Sequence, residues 1–533
     1  MTGELFVGLD LGTSGLKAVA LGAGGEIAAR ARADYPTSRP EPGAAEQSPG
    51  DWWAALEAVV AALAAGGAAP ERWAGVGLSG MIPTLVLADE AGAPVAPAIT
   101  WEDARAEPEG AALRARLDGD RLYGLTGQWV DGRYLLPMYL RLARAAPQGR
   151  AARLLGAKDW LFLRLTGEAA TDPSTAAGFG CYGLEAGAWL DEIVAAAEAE
   201  LASTTAGSGA PPALPALPRV LPSTASLPLT DAAAKRLGLP AGLPVCLGGA
   251  DSVLGCLGLG VERPGDVACI AGTSTVLLGV ADRLLFDAGH RYLITPLAGL
   301  DGWGFEMDLL TTGSAFRWLA GLLGPAGGDE SALMALAAGV EPGAAGLSFL
   351  PYLAPGEQGA LWDPELSGAL LGLSLGHGAA EVARALVDGV VLETRRCLAV
   401  LDEAGLPRGP VRMAGGSGVD ATFRGQFADA CRREVSYAAD GETAHSAIGA
   451  ATLAAAAAGR GRSIGSAGGR SPVGDHAGHS GAGAAADGGV AGPATLETVT
   501  PTESASVRWD ALWRRHEAAL AAVRAMRVGT ARL

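Results

Sequence analysis

The tripeptide Gly-Thr-Ser occurs twice in this chain, at Gly12–Ser14 and at Gly272–Ser274, each time between two short apolar runs. Leu5 to Asp10 is apolar up to a terminal carboxylate, and the apolar pattern resumes at Leu16 to Leu21. Asp266 to Ala271 and Val276 to Val280 flank the second copy in the same way. Both copies therefore predict strand, glycine turn, returning strand. The same local plan at two distant places constrains the chain to two related lobes. The length agrees, since 533 residues exceed what one hydrophobic core usually organises.

The segments around each copy fill out an α/β pattern. Glu26 to Asp34 predicts a third strand antiparallel to the first two. Asp51 to Ala65 carries Trp52, Leu56, Val59 and Leu63 at helical spacing after a Ser48-Pro49 start. Ala74 to Ser79 and Thr84 to Ala88 predict strands. In the second half Ala380 to Leu401 and Phe423 to Arg433 predict helices around a strand at Val411 to Ala414, and Val507 to Met526 predicts a docked terminal helix. The lobe boundary is placed near residue 245, giving lobes 1–245 and 246–533. From about 459 to 493 the chain is Gly, Ala and Ser with almost no large apolar side chains, and a disordered insertion is expected there.

Bulk properties narrow the function classes. A formal charge of −17 opposes nonspecific nucleic-acid binding, which needs a basic surface. Apolar residues reach 49% but are spread through short runs, none long enough to span a bilayer. MTGELFVGLDLGTSG shows no basic leader followed by an apolar signal core, so a cytoplasmic location is expected. Six cysteines lie scattered without metal-ligand spacing, as reduced thiols packed among apolar groups would.

Four segments can carry chemistry. Asp10-Leu11-Gly12-Thr13-Ser14-Gly15 ends a strand with N–H groups and hydroxyls turned into one concavity, which suits phosphate oxygens, while Asp10 can hold Mg²⁺ through water. An ordinary hairpin with an Asx-type turn explains the same residues. Gly248-Gly249-Ala250-Asp251-Ser252 follows a strand-like run; its glycines allow close approach of a ligand, and Asp251 suits either a general base towards a sugar hydroxyl or a helix N-cap. Trp101-Glu102-Asp103-Ala104-Arg105 suits a polyol pocket or a surface ion pair. Met413-Ala414-Gly415-Gly416-Ser417-Gly418 can admit adenine or ribose against the backbone, or form a routine glycine turn; it lacks the Rossmann spacing.

Taken in order, DLGTSGLK at 10–17, WEDAR at 101–105, AKDW at 157–160, GGADS at 248–252, AGTST at 271–275, FLPYL at 349–353 and AGGSG at 414–418 resemble the FGGY family of carbohydrate kinases, most closely its xylulokinase branch. The resemblance covers nearly the whole chain. It implies two actin-like, ribonuclease H-like ATPase lobes with a cleft between them, ATP and Mg²⁺ as cofactors, and a small sugar as substrate. Asp10 would assist metal and phosphate binding, and Thr13 and Ser14 would meet the terminal phosphates. Gly272 and Thr273 would meet the rest of the phosphate chain; Gly313, Gly415 and Gly416 would border the nucleoside. Asp103 and Asp251 would hold sugar hydroxyls, with Asp251 also the base. Lys17 would reach phosphate or face water from its strand.

The implied reaction is transfer of the γ-phosphate to a small ketose, D-xylulose giving xylulose 5-phosphate; another ketose, a polyol, an aldonate, or a sugar-binding regulator without turnover are the alternatives. No nucleic acid or membrane is expected as a partner, and the reading leaves room for a homodimer. The sequence departs from the xylulokinase pattern at Gly80-Met81-Ile82-Pro83-Thr84, where xylulokinases carry Gln-Met-His-Gly against the sugar. Ile82 and Pro83 then line the sugar site with one donor fewer, a loss of about 0.5–1.5 kcal/mol net. Gly356-Glu357-Gln358-Gly359 replaces the family's arginine-containing loop.

Overall fold

The computed structural model describes the chain except residues 1–2, 146–150, 205–213, 325–328, 355–358, 362, 364–365, 439–443, 461–495 and 531–533. The expected insertion at 459–493 lies almost entirely outside the described residues, as does most of the 356–359 loop. Contacts divide the rest into two units: residues within 1–262, 295–303 and 444–460, and residues within 263–294, 304–443 and 496–533.

The first unit is built on six strands: β1 (Leu5–Leu11), β2 (Gly15–Gly22), β3 (Ile27–Asp34), β4 (Trp73–Gly80), β5 (Ser226–Pro228) and β6 (Pro244–Ala250). Their order across the sheet is β5-β6-β4-β1-β2-β3. β1, β4 and β6 run parallel, and β2 and β3 return antiparallel as two hairpins. Every residue of β1 is buried, because helices cover both faces of the sheet. Side chains alternate along a strand, so Leu5, Val7 and Leu9 share one face and pack into the core containing Trp52, Leu56, Val59 and Leu63 of the helix Pro49–Ala65.

The opposite face receives a helix from far along the sequence, His445–Ala457. Glycines admit it: a Cβ at Gly8 would stand 1.8 Å from the Ala447 carbonyl oxygen, and one at Gly77 would stand 2.0 Å from that of Ala450. The same helix meets Asp251–Gly258 backbone to backbone. There a Cβ on Gly258 or on Gly449 would fall 1.9 Å from the partner's carbonyl oxygen.

These contacts correct the expected boundary at residue 245. That position lies inside β6, which is hydrogen-bonded to β4 with Val245 opposite Val76, so the chain stays in the first unit through Glu262. The 444–460 segment, assigned by its position in the sequence to the second lobe, is likewise part of the first.

The second unit repeats the plan. Its strands are β7 (Val267–Ala271), β8 (Thr275–Ala281), β9 (Leu293–Pro296), β10 (Trp303–Leu309), β11 (Val411–Ala414), β12 (Val435–Ala438) and β13 (Leu496–Val499), ordered β9-β10-β8-β7-β11-β12-β13. Read from β13, the antiparallel, parallel, parallel and antiparallel pairings match those read from β5 in the first sheet. The two Gly-Thr-Ser turns occupy equivalent hairpins, β1–β2 and β7–β8. Helices follow the predicted places at Ala379–Glu403, Ala421–Cys431 and Glu503–Thr530. Among the described residues no helix is long and apolar enough to cross a membrane.

The glycine contacts set opposite signs for two substitutions. Gly77→Ala forces a Cβ into the Ala450 carbonyl and should destabilise by about 1–3 kcal/mol or more, as overpacking does. Gly124→Ala, exposed within the helix Gly119–Thr126 with nothing within 4 Å of the new Cβ, should stabilise by about 0.5–1 kcal/mol. Thermal unfolding of both variants checks this; equal effects would contradict the packing described.

Candidate active site

In the first unit the candidate residues meet through strand register. Asp10 lies opposite Ser79 on β4, and Ser79 lies opposite Gly249 on β6. Three neighbouring parallel strands therefore end side by side, the place where open α/β sheets bind ligands. Past β6, Asp251 is the first residue of the helix Asp251–Gly258, and Ala250 is its N-cap. Asp251 is not the capping side chain: the helix start carries no side-chain cap bond, and the carboxylate Oδ1 accepts from the adjacent Ser252 N–H (3.0 Å). Asp251 is part-exposed, so its carboxylate can be reached by a ligand.

The two glycines before Asp251 are explained differently from the sequence-based expectation of ligand approach. A Cβ at Gly248, whose φ is +72°, would stand 1.6 Å from the Leu78 carbonyl oxygen. One at Gly249 would stand 2.8 Å from Ser174 Oγ and 3.3 Å from Asp172 Oδ2. Protein packs against both glycines, so neither leaves room for a ligand.

Asp10 is buried, and Ser79 Oγ donates to its Oδ1 at 2.9 Å. Burial pushes its pKa up; the Lys17 charge and the Ser79 hydrogen bond pull against that without cancelling it. Lys17, opposite Asp10 on β2, is only partly exposed, so its charge acts on the site and not merely on solvent. Gly12 leaves open the space where a Cβ would stand 3.8 Å from Asp10 Oδ2. A desolvated carboxylate beside an open cradle fits Mg²⁺ held through water and substrate phosphates.

The first turn is held from several sides. Gly12 N–H donates to the Gly15 carbonyl (3.2 Å), and Tyr35 Oη donates to the Gly12 carbonyl (2.5 Å). Thr13 Oγ1 accepts from Trp101 Nε1 (3.0 Å), and the Thr13 carbonyl accepts from Gln47 Nε2 (2.8 Å). Ser14 is exposed, and its Oγ accepts from Arg32 Nη2 (3.1 Å). Trp101, Gln47 and Arg32 were not singled out by the sequence as supports of the turn; WEDAR gave a signal for Trp101 alone.

Asp103 is corrected. It is only 2% exposed. Its Oδ1 accepts from the Arg105 N–H and Nε, and its Oδ2 from the Ala45 N–H, Arg105 Nε and Arg105 Nη2, at 2.7–3.1 Å. The lone pairs that a sugar hydroxyl would need are occupied, so Asp103 anchors Arg105 instead. Arg105 in turn bridges to Glu41 (2.9 Å) and Glu46 (2.7 Å). Ile82 and Pro83 are both partly exposed just beyond the end of β4, with Pro83 Cα 3.5 Å from where a Gly178 Cβ would lie.

In the second unit Gly272 and Thr273 form the exposed β7–β8 turn, closed by Gly272 N–H to the Ser274 carbonyl (2.8 Å). The start of the helix Gly313–Leu323 is tied to that turn: the Gly313 N–H meets the Gly272 carbonyl (3.2 Å), and the Ser314 N–H and Oγ both donate to the Thr273 carbonyl (3.0 Å each). A Cβ at Gly313 would stand 2.3 Å from the Gly272 oxygen. Arg317 Nη2 donates to Thr273 Oγ1 at 3.1 Å, a cation beside the turn that the sequence motifs did not reveal. Gly415, with φ +94°, lies under the Ala271 carbonyl, whereas a Cβ at Gly416 would meet nothing within 4 Å. Gly416 thus keeps the open backbone that a flat ligand needs, and Gly313 and Gly415 serve close backbone packing.

Two units of one sheet plan each open on a Gly-Thr-Ser turn, and the first carries carboxylates at the ends of its parallel strands. The chain belongs to the FGGY family of carbohydrate kinases: the model of that family's N-terminal domain matches residues 5–258, and that of its C-terminal domain matches residues 267–458. It is 31% identical over 452 residues to the xylulose kinase of Klebsiella pneumoniae, covering 84% of this chain and 89% of that one. It is 32% identical over 421 residues to the glycerol kinase of Gloeobacter violaceus, covering 77% and 80%. The crystal structure of xylulose kinase from Rhodospirillum rubrum superposes with a TM-score of 0.82 at 30% identity, covering 98% of this chain and 99% of that one.

The raised pKa of Asp10 has a consequence for stability. The folded chain binds the Asp10 proton more tightly than the unfolded chain, so the stability this group supplies is present below the unfolded value of 3.8 and lost as pH rises through the folded value. At pH 7 the buried carboxylate is a cost. Asp10→Asn should therefore raise Tm at pH 7, and the gain should shrink as pH approaches 4. A lower Tm for the variant at pH 7 would contradict the burial argument.

Proposed function

We propose that the chain catalyses ATP-dependent phosphorylation of a small ketose, D-xylulose giving xylulose 5-phosphate. The observation that carries the reading is the part-exposed Asp251 at the end of β6, beside the parallel strands that end in Asp10 and Ser79. As the acceptor hydroxyl oxygen forms its bond to the γ-phosphorus, the Asp251 carboxylate takes the hydroxyl proton. The bond from the γ-phosphorus to the β–γ bridging oxygen breaks, and ADP leaves.

Proton removal and positioning both contribute to such a transfer. The Thr13 and Ser14 turn would hold the terminal phosphates, and Gly272 and Thr273 the remaining phosphates, with Arg317 adding a cation at Thr273. Mg²⁺, held at Asp10, would neutralise charge on the phosphate oxygens. The choice of xylulose rests on similarity to xylulose kinases. Glycerol, another polyol or an aldonate is the rival substrate, since the chain is also similar to a glycerol kinase and Pro83 replaces the usual histidine.

A coupled ADP-release screen over pentuloses, hexuloses, alditols and aldonates should give higher kcat/KM for D-xylulose than for glycerol or gluconate. Equal or faster turnover of either rival would overturn the substrate assignment. Asp251→Asn keeps the shape and removes the base, so kcat should fall by about 10²–10⁴-fold while ATP Kd changes little. Near-wild-type turnover would remove Asp251 from the chemistry.

A further inference from the structure

The side chains of Lys158, Asp159 and Asp172, all in the first unit, are fully buried. Lys158 Nζ bridges Asp159 Oδ1 (2.8 Å) and Asp172 Oδ1 (2.9 Å). Burial works against the Lys158 charge, but the two carboxylates outweigh it and hold the ammonium above its ordinary range. A buried cation and two buried carboxylates are costly to assemble, and replacing such clusters by apolar residues is often stabilising. Stability alone is therefore a weak reason for their presence.

The cluster leads to the base. Asp172 Oδ2 accepts from the Ser174 N–H (2.9 Å) and from Ser174 Oγ (2.5 Å). With its hydroxyl hydrogen committed to Asp172, Ser174 Oγ presents a lone pair to the Ala250 N–H at 2.9 Å. Ala250 is the N-cap of the helix that begins with Asp251, and no side chain of the helix's own start caps it. Gly249 is what lets this approach happen, since its Cβ would stand 2.8 Å from Ser174 Oγ. Ser223, whose Oγ reaches Asp172 Oδ2 at 3.3 Å, fixes the preceding bend through its carbonyl, which accepts the Gly248 N–H at 2.9 Å. Behind Asp251, Ser446 Oγ donates to its carbonyl at 2.9 Å. The backbone on either side of the Asp251 side chain is thus pinned by hydroxyls, and the pin at Ala250 is polarised by a buried carboxylate and a lysine.

We infer that Ser174, oriented by Asp172 and Lys158, is a positioning residue for Asp251: it fixes the peptide from which the base projects. The inference rests on the reading of Asp251 as base, and placement errors near 1 Å can cost on the order of 10²-fold in such reactions. Ser174→Ala removes the acceptor for Ala250 while leaving Asp251 in the chain. It should lower kcat by about 10–100-fold, leave ATP Kd unchanged and lower Tm only modestly, as loss of one buried hydrogen-bonding hydroxyl does.

The decisive measurement is a double-variant cycle with Asp251→Asn. If Ser174 acts through Asp251, adding Ser174→Ala to Asp251→Asn should lower kcat by less than about twofold further. If it acts by general loosening of the fold, the two losses should multiply, and that result would overturn the inference. Ser174→Cys, of similar volume with a weak donor and acceptor, takes the same place in the cycle should Ser174→Ala fail to fold. Full activity of Ser174→Ala would also overturn it. Near-wild-type activity of Asp251→Asn would instead overturn the functional reading on which the inference rests.

Discussion

The parallel pairing of β1, β4 and β6 is the constraint on which the first unit depends. It sets Asp10, Ser79 and Gly249 in one row at the strand ends and makes Asp251 the next element beyond that row. Such pairing needs both faces of the sheet covered, and the covering helix His445–Ala457 can settle only because Gly8 and Gly77 present bare backbone to its carbonyls. The carboxylates are thereby held by a rigid scaffold and not by a mobile loop. The burial that results shows in the raised pKa of Asp10.

The same sheet plan serves the second unit with different chemistry at its ends. Where the first sheet ends in carboxylates, β7 and β11 end in glycine turns, with Arg317 beside Thr273 and open backbone at Gly416. A duplicated fold thus supplies an acidic set in one lobe and a set of backbone groups with one cation in the other. That division suits a kinase of the family to which the chain belongs, since phosphoryl transfer asks for positioning and charge stabilisation more than for elaborate covalent chemistry.

Much of this was legible in the sequence because it is local. The hairpins around both Gly-Thr-Ser turns, the helix with Trp52, Leu56, Val59 and Leu63, and the long helix Ala379–Glu403 announce themselves by periodicity and glycine placement. Long-range contacts were not legible. Nothing in the composition of His445–Ala457 says that it crosses back to β1, because its small residues are equally compatible with packing anywhere. Asp103 looked like a sugar contact because an acid beside Trp101 and Arg105 fits a polyol pocket, and only folding brings Ala45 and Arg105 onto both its oxygens. AKDW marked Lys158 and Asp159, yet their link to Ala250 runs through Asp172 and Ser174, which no short motif joins to them. The glycines of GGADS were read as sites of ligand approach, but the approaching atoms belong to Leu78, Ser174 and Asp172.

The central claim is that this chain transfers the γ-phosphate of ATP to a sugar hydroxyl. Phosphorus NMR of the purified chain with ATP, Mg²⁺ and D-xylulose carrying ¹³C at carbon 5 tests it directly. The account predicts a new phosphomonoester resonance coupled to that carbon, growing in step with ADP. ADP accompanied only by inorganic phosphate, with no carbon-coupled phosphorus from xylulose or from any other sugar supplied, would contradict it.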